Sequence, residues 1–267
     1  MESIKTRISV RTFDEKEISR DSMDKLIEFI NNIEEDYDDY RFPMINSNVD
    51  GKVGTYGVIT GANTYICGIV KKDKPDLVEL GYLFEKIIIF ATSLNLGTCW
   101  LGGTFNRSEF AEKVALKADE SFICATPVGY ATEKKSIKER AMRKMAKSDQ
   151  RKDYNEIFFD IDLNPLNKED LEIYDEALEM LRIGPSASNK QPWRIVKENN
   201  LFHLFLERTP GYAKDLGYDI QLVDMGIAKY HFEATLAEKN CVGHWDVWDS
   251  HPSYDKFEYI STWLEEV

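Results

Sequence analysis

The stretch VELGYLFEKIIIFATSLNLGTCW, residues 78–100, recurs in outline as VDMGIAKYHFEATLAEKNCVGHW, residues 223–245. The two align without a gap at an offset of 145 residues, sharing Val, an acidic residue, an apolar residue and Gly near their starts and Trp at their ends. Two amphipathic helices taken at random also share some pattern, but here the surroundings repeat too. Ser19 is a candidate N-cap flanked by Ile18 and Met23 at the spacing of a hydrophobic staple, and Asn167 is flanked in the same way by Leu166 and Leu171. The repeated staples and the repeated order of strands and helices make internal duplication the better reading.

Working outward, Met23, Leu26, Ile27 and Ile30 recur at helical spacing after Ser19, and an acidic, turn-rich stretch from Glu34 to Asp50 ends that helix. Gly51 to Val70 predicts one or two strands. A helix opening at Pro75-Asp76 and running to Leu94 is apolar nearly all round, which predicts a buried central position. TCWLGGTF predicts a strand or loop, residues 107–116 a short helix, and FICATPVGYA another strand. Residues 133–152 are rich in Lys and Arg and read as an exposed connector. Beyond it the spacing predicts a helix from Asn167 through Leu171, Tyr174, Leu178 and Leu181, a hairpin turning at Glu198-Asn199-Asn200, a helix over about 219–238 and a strand over 245–248.

The chain of 267 residues is 43% hydrophobic and 12% aromatic, enough for a substantial core in one large domain or two small units sharing one. We place the boundary between residues 1–153 and 154–267. A formal net charge of −13 argues against nucleic acid or an anionic membrane as partner, so any bound anion must meet locally placed cations. Cys67, Cys99, Cys124 and Cys241 form no CxxC pair, and the four histidines show no metal-ligand spacing, so no metal site is expected. No apolar run is long enough to span a bilayer, and a cytoplasmic location is the default expectation.

Three segments carry candidate chemistry. RISVRTF places Arg7, Ser9 and Arg11 on alternate positions; in an extended backbone they would share one face and could clasp a phosphate through charge-assisted bonds. Alone, it reads more readily as an exposed basic strand. GPSASNKQPW, residues 184–193, combines small residues that permit close backbone approach with the polar Ser186, Ser188, Asn189 and Gln191, or is an ordinary helix-ending loop. NLGTCWLGGTF, residues 95–105, has Gly102 and Gly103, where backbone N–H groups could reach a ligand or merely turn the chain.

Together, and in this order, the three segments resemble the nitroreductase-like FMN-dependent oxidoreductases, in particular the subset with two such units fused in one chain. RISVRTF is similar to that family's Arg-Ser-x-Arg phosphate strand, GPSASNKQPW to its PSAxNxQPW flavin loop, and LNLGTCWLGG to its Gly-Leu-Gly-x-x-Trp segment. The resemblance implies an α+β, nitroreductase-like three-layer fold, with a central, mostly antiparallel sheet flanked by helices. Relatives commonly place flavin between two subunits. Here the amino-terminal half has RISVRTF without a PSAxN loop, and the other half has the loop with only YNEIFFDIDLNPL where the phosphate strand should stand. The expected arrangement is therefore an intramolecular pseudo-dimer, compatible with a monomer, with one complete FMN site and one degenerate site.

By the same resemblance, Arg7, Ser9 and Arg11 hold the phosphate and ribityl end. Pro185, Ser186, Ala187, Ser188, Asn189 and Gln191 line the flavin, and Leu101, Gly102 and Gly103 offer backbone groups near its N5 atom. Arg151 is the further basic residue, with Arg140, Arg143 and Lys152 as rivals. No catalytic side chain is needed, because the flavin carries the electron chemistry. The implied activity is ping-pong hydride transfer from NADH or NADPH to a small-molecule acceptor such as a nitroaromatic or quinone. Reductive dehalogenation, oxygen-dependent flavin cleavage, and flavin storage or redox sensing without fast turnover are the alternatives, with a scaffold lacking flavin a more distant one. Trp193, Trp245, Trp248 and Tyr254 either wall a substrate pocket or pack the core, and His244 and His251 are proton donors or ordinary surface residues.

Overall fold

The computed structural model describes residues 1–73, 75–132 and 150–266. The chain forms two compact units, one of Thr6–Asp76 with Leu83–Met145 and the other of Met1–Lys5, Leu77–Tyr82 and Ala146–Val267. They are interleaved in sequence, so a single cut near residue 153 does not describe them. A short opening helix, α1 (Glu2–Thr6), precedes the first motif, where the sequence pattern predicts none.

In the first unit, Ser19 accepts the Ser22 N–H and starts α2 (Arg20–Asp36), as its cap position predicts. The helix buries Leu26, Ile30 and Ile33, while Ile27 stays on the exposed side. Its sheet contains β1 (Tyr40–Arg41), β2 (Met44–Asn46), β3 (Thr64–Lys71), β4 (Gly97–Thr98) and β5 (Glu120–Gly129), ordered β1-β3-β5-β4 with β2 also on β3, all antiparallel. The strands β1 and β2 lie in the acidic stretch read only as a helix end. Two- and three-residue strands carry too little pattern to be seen, and β1 is held in part by an Arg41–Glu120 ion pair at 2.7 Å. Only the last part of Gly51–Val70 is strand; before Thr64 the chain turns through positive φ at Gly51, Tyr56, Gly57 and Gly61.

The central helix α3 (Leu77–Ser93) is buried on most sides, as its apolar composition predicts. It ends at Asn95, in the left-handed region at φ 60, with Leu96 N–H bonded to the Ala91 carbonyl. This αL termination satisfies carbonyls that would otherwise be orphaned. Between β4 and β5, Asn106 caps α4 (Arg107–Lys113).

The second unit has β6 (Phe158–Asp160), α5 (Ile173–Arg182), β7 (Trp193–Glu198), β8 (Leu201–Leu206), α6 (Ile220–Glu238), β9 (Gly243–Asp246) and β10 (Glu258–Glu265). The sheet order is β6-β7-β8-β10-β9, with only β6–β7 parallel. Asn167 caps a single 3-10 turn, Lys168–Asp170, instead of the predicted long helix. Glu172 at φ 48 breaks the chain there, and α5 begins one residue later. The hairpin turns at Asn199 as predicted, Asp219 caps α6, and β9 falls two residues earlier than expected. Trp193, Phe202, Met225, Phe232 and Trp263 centre the core beneath this sheet.

The sequence repeat has a structural counterpart. Asn240, which matches Asn95, also sits at φ 60, and Cys241 N–H bonds the Leu236 carbonyl as Leu96 does Ala91. Within the second unit, the segment 77–82 of α3 and the start of α6 touch reciprocally. Gly81 lies against the backbone of Val223, and Gly226 against the backbone of Val78, Gly81 and Tyr82. Residues 78 and 81 meet residues 226 and 223, their partners at offset 145 in exchanged order. This is the pattern of a self-complementary contact between related halves. The fold is α+β with sheets rich in antiparallel pairing, as the sequence leads one to expect, and each unit carries its own sheet.

Candidate functional site

In the first unit, residues 7–13 do not form a continuous strand. They lie along two other segments through isolated bridges, Ser9 with Thr98 and Thr12 with Thr60, joined by Val10 N–H to the Thr98 carbonyl at 2.8 Å. Val10 and Phe13 point into the core, and Arg7, Ser9 and Arg11 are half-buried.

The two arginines have different surroundings. The Arg7 side chain is 7% exposed, with its Nε 3.9 Å from Oε1 of Glu85, whose side chain is fully buried. Glu85 Oε2 accepts the Trp100 indole N–H at 2.6 Å. Arg7 is thus in part an ion-pair partner inside the unit. Arg11 is half-buried, and among the described residues its Nη1 is buried with no hydrogen-bond partner, a property it shares with the Nη1 of Arg7. A buried guanidinium nitrogen left without an acceptor is costly unless a ligand supplies one.

Leu101 departs from the expectation that its backbone faces a ligand. Its N–H and carbonyl both bond Ala125, at 2.8 and 3.0 Å, so the Leu101 amide is committed to the sheet. Gly102 turns its carbonyl to the Arg107 guanidinium at 2.9 Å, and Gly103 is exposed.

In the second unit, the structure brings Arg151 together with the 184–193 loop. Within that loop Ser188, Asn189 and Gln191 have φ of 48, 55 and 50. The left-handed region is unfavourable for side chains other than Asn, Asp and Gly, and such residues persist only where surrounding contacts hold them. Here the contacts are numerous. Ala187 N–H donates to Asp224 Oδ1 at 2.9 Å, the Tyr212 hydroxyl to Ser188 Oγ at 2.8 Å, and Gln191 N–H to Ser186 Oγ at 2.9 Å. Lys152 N–H donates to the Gln191 side-chain oxygen at 2.8 Å, and the buried Arg194 donates to the Gln191 carbonyl at 3.0 Å while pairing with Glu207. Pro185 is half-buried at the loop's entry.

Arg151 spans from helix α5 to the loop, donating to the Ile183 carbonyl at 2.9 and 3.1 Å and to Asn189 Oδ1 at 3.3 Å. Its guanidinium braces the loop. The rival Lys152 has its ammonium 3.8 Å from Glu207, and burial lowers its pKa. Arg140 and Arg143 lie outside the described residues.

Of the two readings of the aromatic residues, a substrate wall or core packing, the structure favours packing for three. Trp193 is fully buried, Trp245 packs on Phe232 and Trp263, and the Tyr254 hydroxyl donates to the Ile161 carbonyl; Trp248 alone among the four is well exposed. All four cysteines are free and buried. Among the described residues no cluster of His, Cys, Asp or Glu could hold a metal, and no helix is long and apolar enough to cross a membrane.

Four residues of these surroundings carry no signal in the motifs themselves: Glu85, Arg194, Tyr212 and Asp224. Asp224 was within reach, since it is the acidic residue of the second repeat. Burial pushes its carboxyl well above the usual carboxylate range.

No curated protein matches the chain. Among solved structures, one described as "a putative nitroreductase" from Thermotoga maritima MSB8 is similar at 20% identity and a TM-score of 0.59, covering 99% of this chain and 91% of that one. An FMN-dependent nitroreductase from Clostridium difficile R20291 (20% identity, TM-score 0.41) covers 50% of this chain and 88% of its own, and a nitroreductase with bound FMN from Bacteroides fragilis NCTC 9343 (19%, 0.40) covers 51% and 90%. The first of these shares the fold over nearly the whole length, and the family model described as "Putative TM nitroreductase" matches residues 1–236. The chain therefore belongs to that nitroreductase family.

Proposed function

We propose that this protein is an FMN-dependent oxidoreductase that passes reducing equivalents from NADH or NADPH to a small-molecule acceptor such as a nitroaromatic or quinone. The observation that carries the reading is the 184–193 loop, which holds three non-glycine residues at positive φ through bonds from five other residues. Strain maintained by so many contacts belongs to a ligand-binding segment more readily than to a plain connector. The unpartnered, buried Arg11 Nη1 is a donor of the kind a phosphate requires.

In this reading Arg11 and Ser9 bind the phosphate, with Arg7 setting the local charge from beside Glu85. Ser186, Ser188 and Asn189 orient the ring, and Arg151 acts by holding Asn189. When bound, FMN would supply the hydride and electron transfer chemistry at its N5 atom, so the chain's own part is binding and orientation. The donor and the acceptor use the same place in turn.

The test is to purify the protein without added cofactor, record its visible spectrum, and quantify flavin released on denaturation. Near one FMN per chain, with NADPH or NADH oxidation coupled to a quinone or nitrofurazone, supports the proposal. Flavin without turnover points instead to storage or redox sensing. No binding even after reconstitution with excess FMN overturns it.

A further inference from the structure

The 184–193 loop is not held by its own backbone preferences, since Ser188, Asn189 and Gln191 all occupy the left-handed region. Its exit is fixed by Arg194 on the Gln191 carbonyl, and its Asn189 side chain by Arg151. Ala187, just before the first strained residue, is fixed through its N–H by Asp224 Oδ1 at 2.9 Å.

Asp224 is an unusual choice for that role. It is 2% exposed, and its second oxygen, Oδ2, is buried without a hydrogen-bond partner among the described residues. A buried carboxyl with one unmet oxygen is more costly than the apolar side chains around it. The amide it receives accounts for its presence. Its support is rigid as well: two residues on, Gly226 lies against the backbone of Val78 and Tyr82, so this turn of α6 cannot shift. The matching residue of the first repeat, Glu79, is only half-buried, and the sequence near residue 42 has no counterpart of the PSAxN loop. The acid is deeply buried in the half that has the loop to hold.

We infer that Asp224 is a positioning residue: its carboxyl fixes the Ala187 amide and thereby sets the stance of Ser186, Ser188 and Asn189 toward the ligand of the loop. It acts through the loop and does not itself touch the cofactor. Naming that ligand as FMN rests on the function proposed above, whereas the anchoring does not. Only Oδ1 is used, accepting the Ala187 amide, while Oδ2 meets no partner among the described residues, so an amide of the same shape, whose oxygen accepts in the same place, can replace the acid.

The experiment compares the full-length wild type with Asp224→Asn and Asp224→Ala. Two quantities are read: amide hydrogen exchange over residues 184–193 without flavin, and the FMN dissociation constant by fluorescence titration. Loss of the acceptor in Asp224→Ala is expected to speed exchange across the loop about five- to tenfold, with β7 and β8 unchanged, and to weaken FMN by a similar factor. Asp224→Asn is expected to stay within about threefold of wild type on both, as one hydrogen bond's worth of change or less. An Ala variant whose loop exchanges at the wild-type rate overturns the inference, as does an Asn variant that loosens the loop as far as Ala does. If Asp224→Ala fails to fold, Asp224→Ser, whose hydroxyl stops one bond short of the Ala187 amide, takes its place with the same expectations. A wild type that binds no FMN defeats the functional proposal, while the exchange measurement still decides the anchor.

Discussion

Replacing Gly226 by Ala should destabilise the protein although it improves helix propensity. On propensity alone, Ala in place of a mid-helix Gly gains about 1 kcal/mol. The structure opposes this. A Cβ at Gly226 would stand 2.8 Å from the Gly81 carbonyl carbon and nearer still to the Val78 carbonyl oxygen and the Tyr82 nitrogen, where ordinary contact begins at 3.4 Å. All of these are backbone atoms, so no rotamer change relieves the clash. The 77–82 segment and α6 must separate, and a gap of ~0.5–1 Å already forfeits a quarter to a half of the dispersion energy of the contacts it opens. Overpacking of this kind costs about 1–3 kcal/mol or more. With backbone on both sides the upper end applies, and the net loss after the propensity gain is about 2 kcal/mol. Gly81→Ala meets the same geometry by reciprocity, 2.9 Å from the Val223 carbonyl carbon. One separation relieves both clashes, so the double substitution should cost clearly less than the sum of the two. Urea unfolding followed by circular dichroism, with the slope checked for constancy, measures all three. A neutral or stabilising Gly226→Ala, or strict additivity in the double variant, would refute the reciprocal packing.

The two arginines of the first motif should separate in their effects. Arg11→Ala is expected to weaken FMN by about 10- to 100-fold, the loss of a charge-assisted bond, with little change in urea midpoint. Arg7→Ala removes a cation from beside the buried Glu85 and should cost about 3 kcal/mol of stability; an unchanged midpoint would show the ion pair to be idle. His203 is fully buried between Thr262 and Glu198, and burial lowers its pKa below the ordinary 6.5. The unfolded chain therefore binds its proton first, so this contribution to stability is complete above pH 6.5 and falls away as pH drops below it. His203→Gln should flatten that part of the stability profile. The folded pKa of Asp224 is raised, so its contribution is greatest at acid pH and is lost as pH rises through that pKa. Asp224→Asn should therefore gain on the wild type in urea midpoint as pH rises above the ordinary carboxylate range, and a constant difference would contradict the burial argument.

The sequence was most readable where one element carries many periodic residues. The helices α3 and α6 and the β7–β8 hairpin fall close to their predicted spans, because apolar spacing and caps such as Ser19 and Asp219 act over a few adjacent residues. The strands β1, β2, β6 and β10 were not foreseen: the first three have two or three residues each, and none gains its place from local pattern. Asn167 misled for a related reason. A good cap begins a turn, but the helix continues only if the next residues can follow, and Glu172 does not. In the candidate site, the motifs mark segments without telling how each residue is held. Nothing in RISVRTF says that Arg7 faces a carboxylate 78 positions away while Arg11 does not, since Glu85 is an ordinary residue of an apolar helix until the fold buries it.

The duplicated helices show which constraints two related segments cannot escape and which they can. Gly81 with Gly226 and Asn95 with Asn240 are kept as pairs, and geometry accounts for each, through close backbone contact in the first and a left-handed helix end in the second. In the glycine pair, a side chain added to either member presses on backbone that the other packs against. The diverged pairs have no such shared role. Glu85, which receives Trp100 and faces Arg7, corresponds to Tyr230, and the deeply buried Asp224 to the half-buried Glu79. Glu85 lies beside RISVRTF and Asp224 holds the 184–193 loop, and each of those segments occurs once. The kept pairs carry geometry common to both repeats, whereas each of these acids serves a segment that occurs once, which is why the shared scaffold remains legible in the sequence while its supporting acids do not.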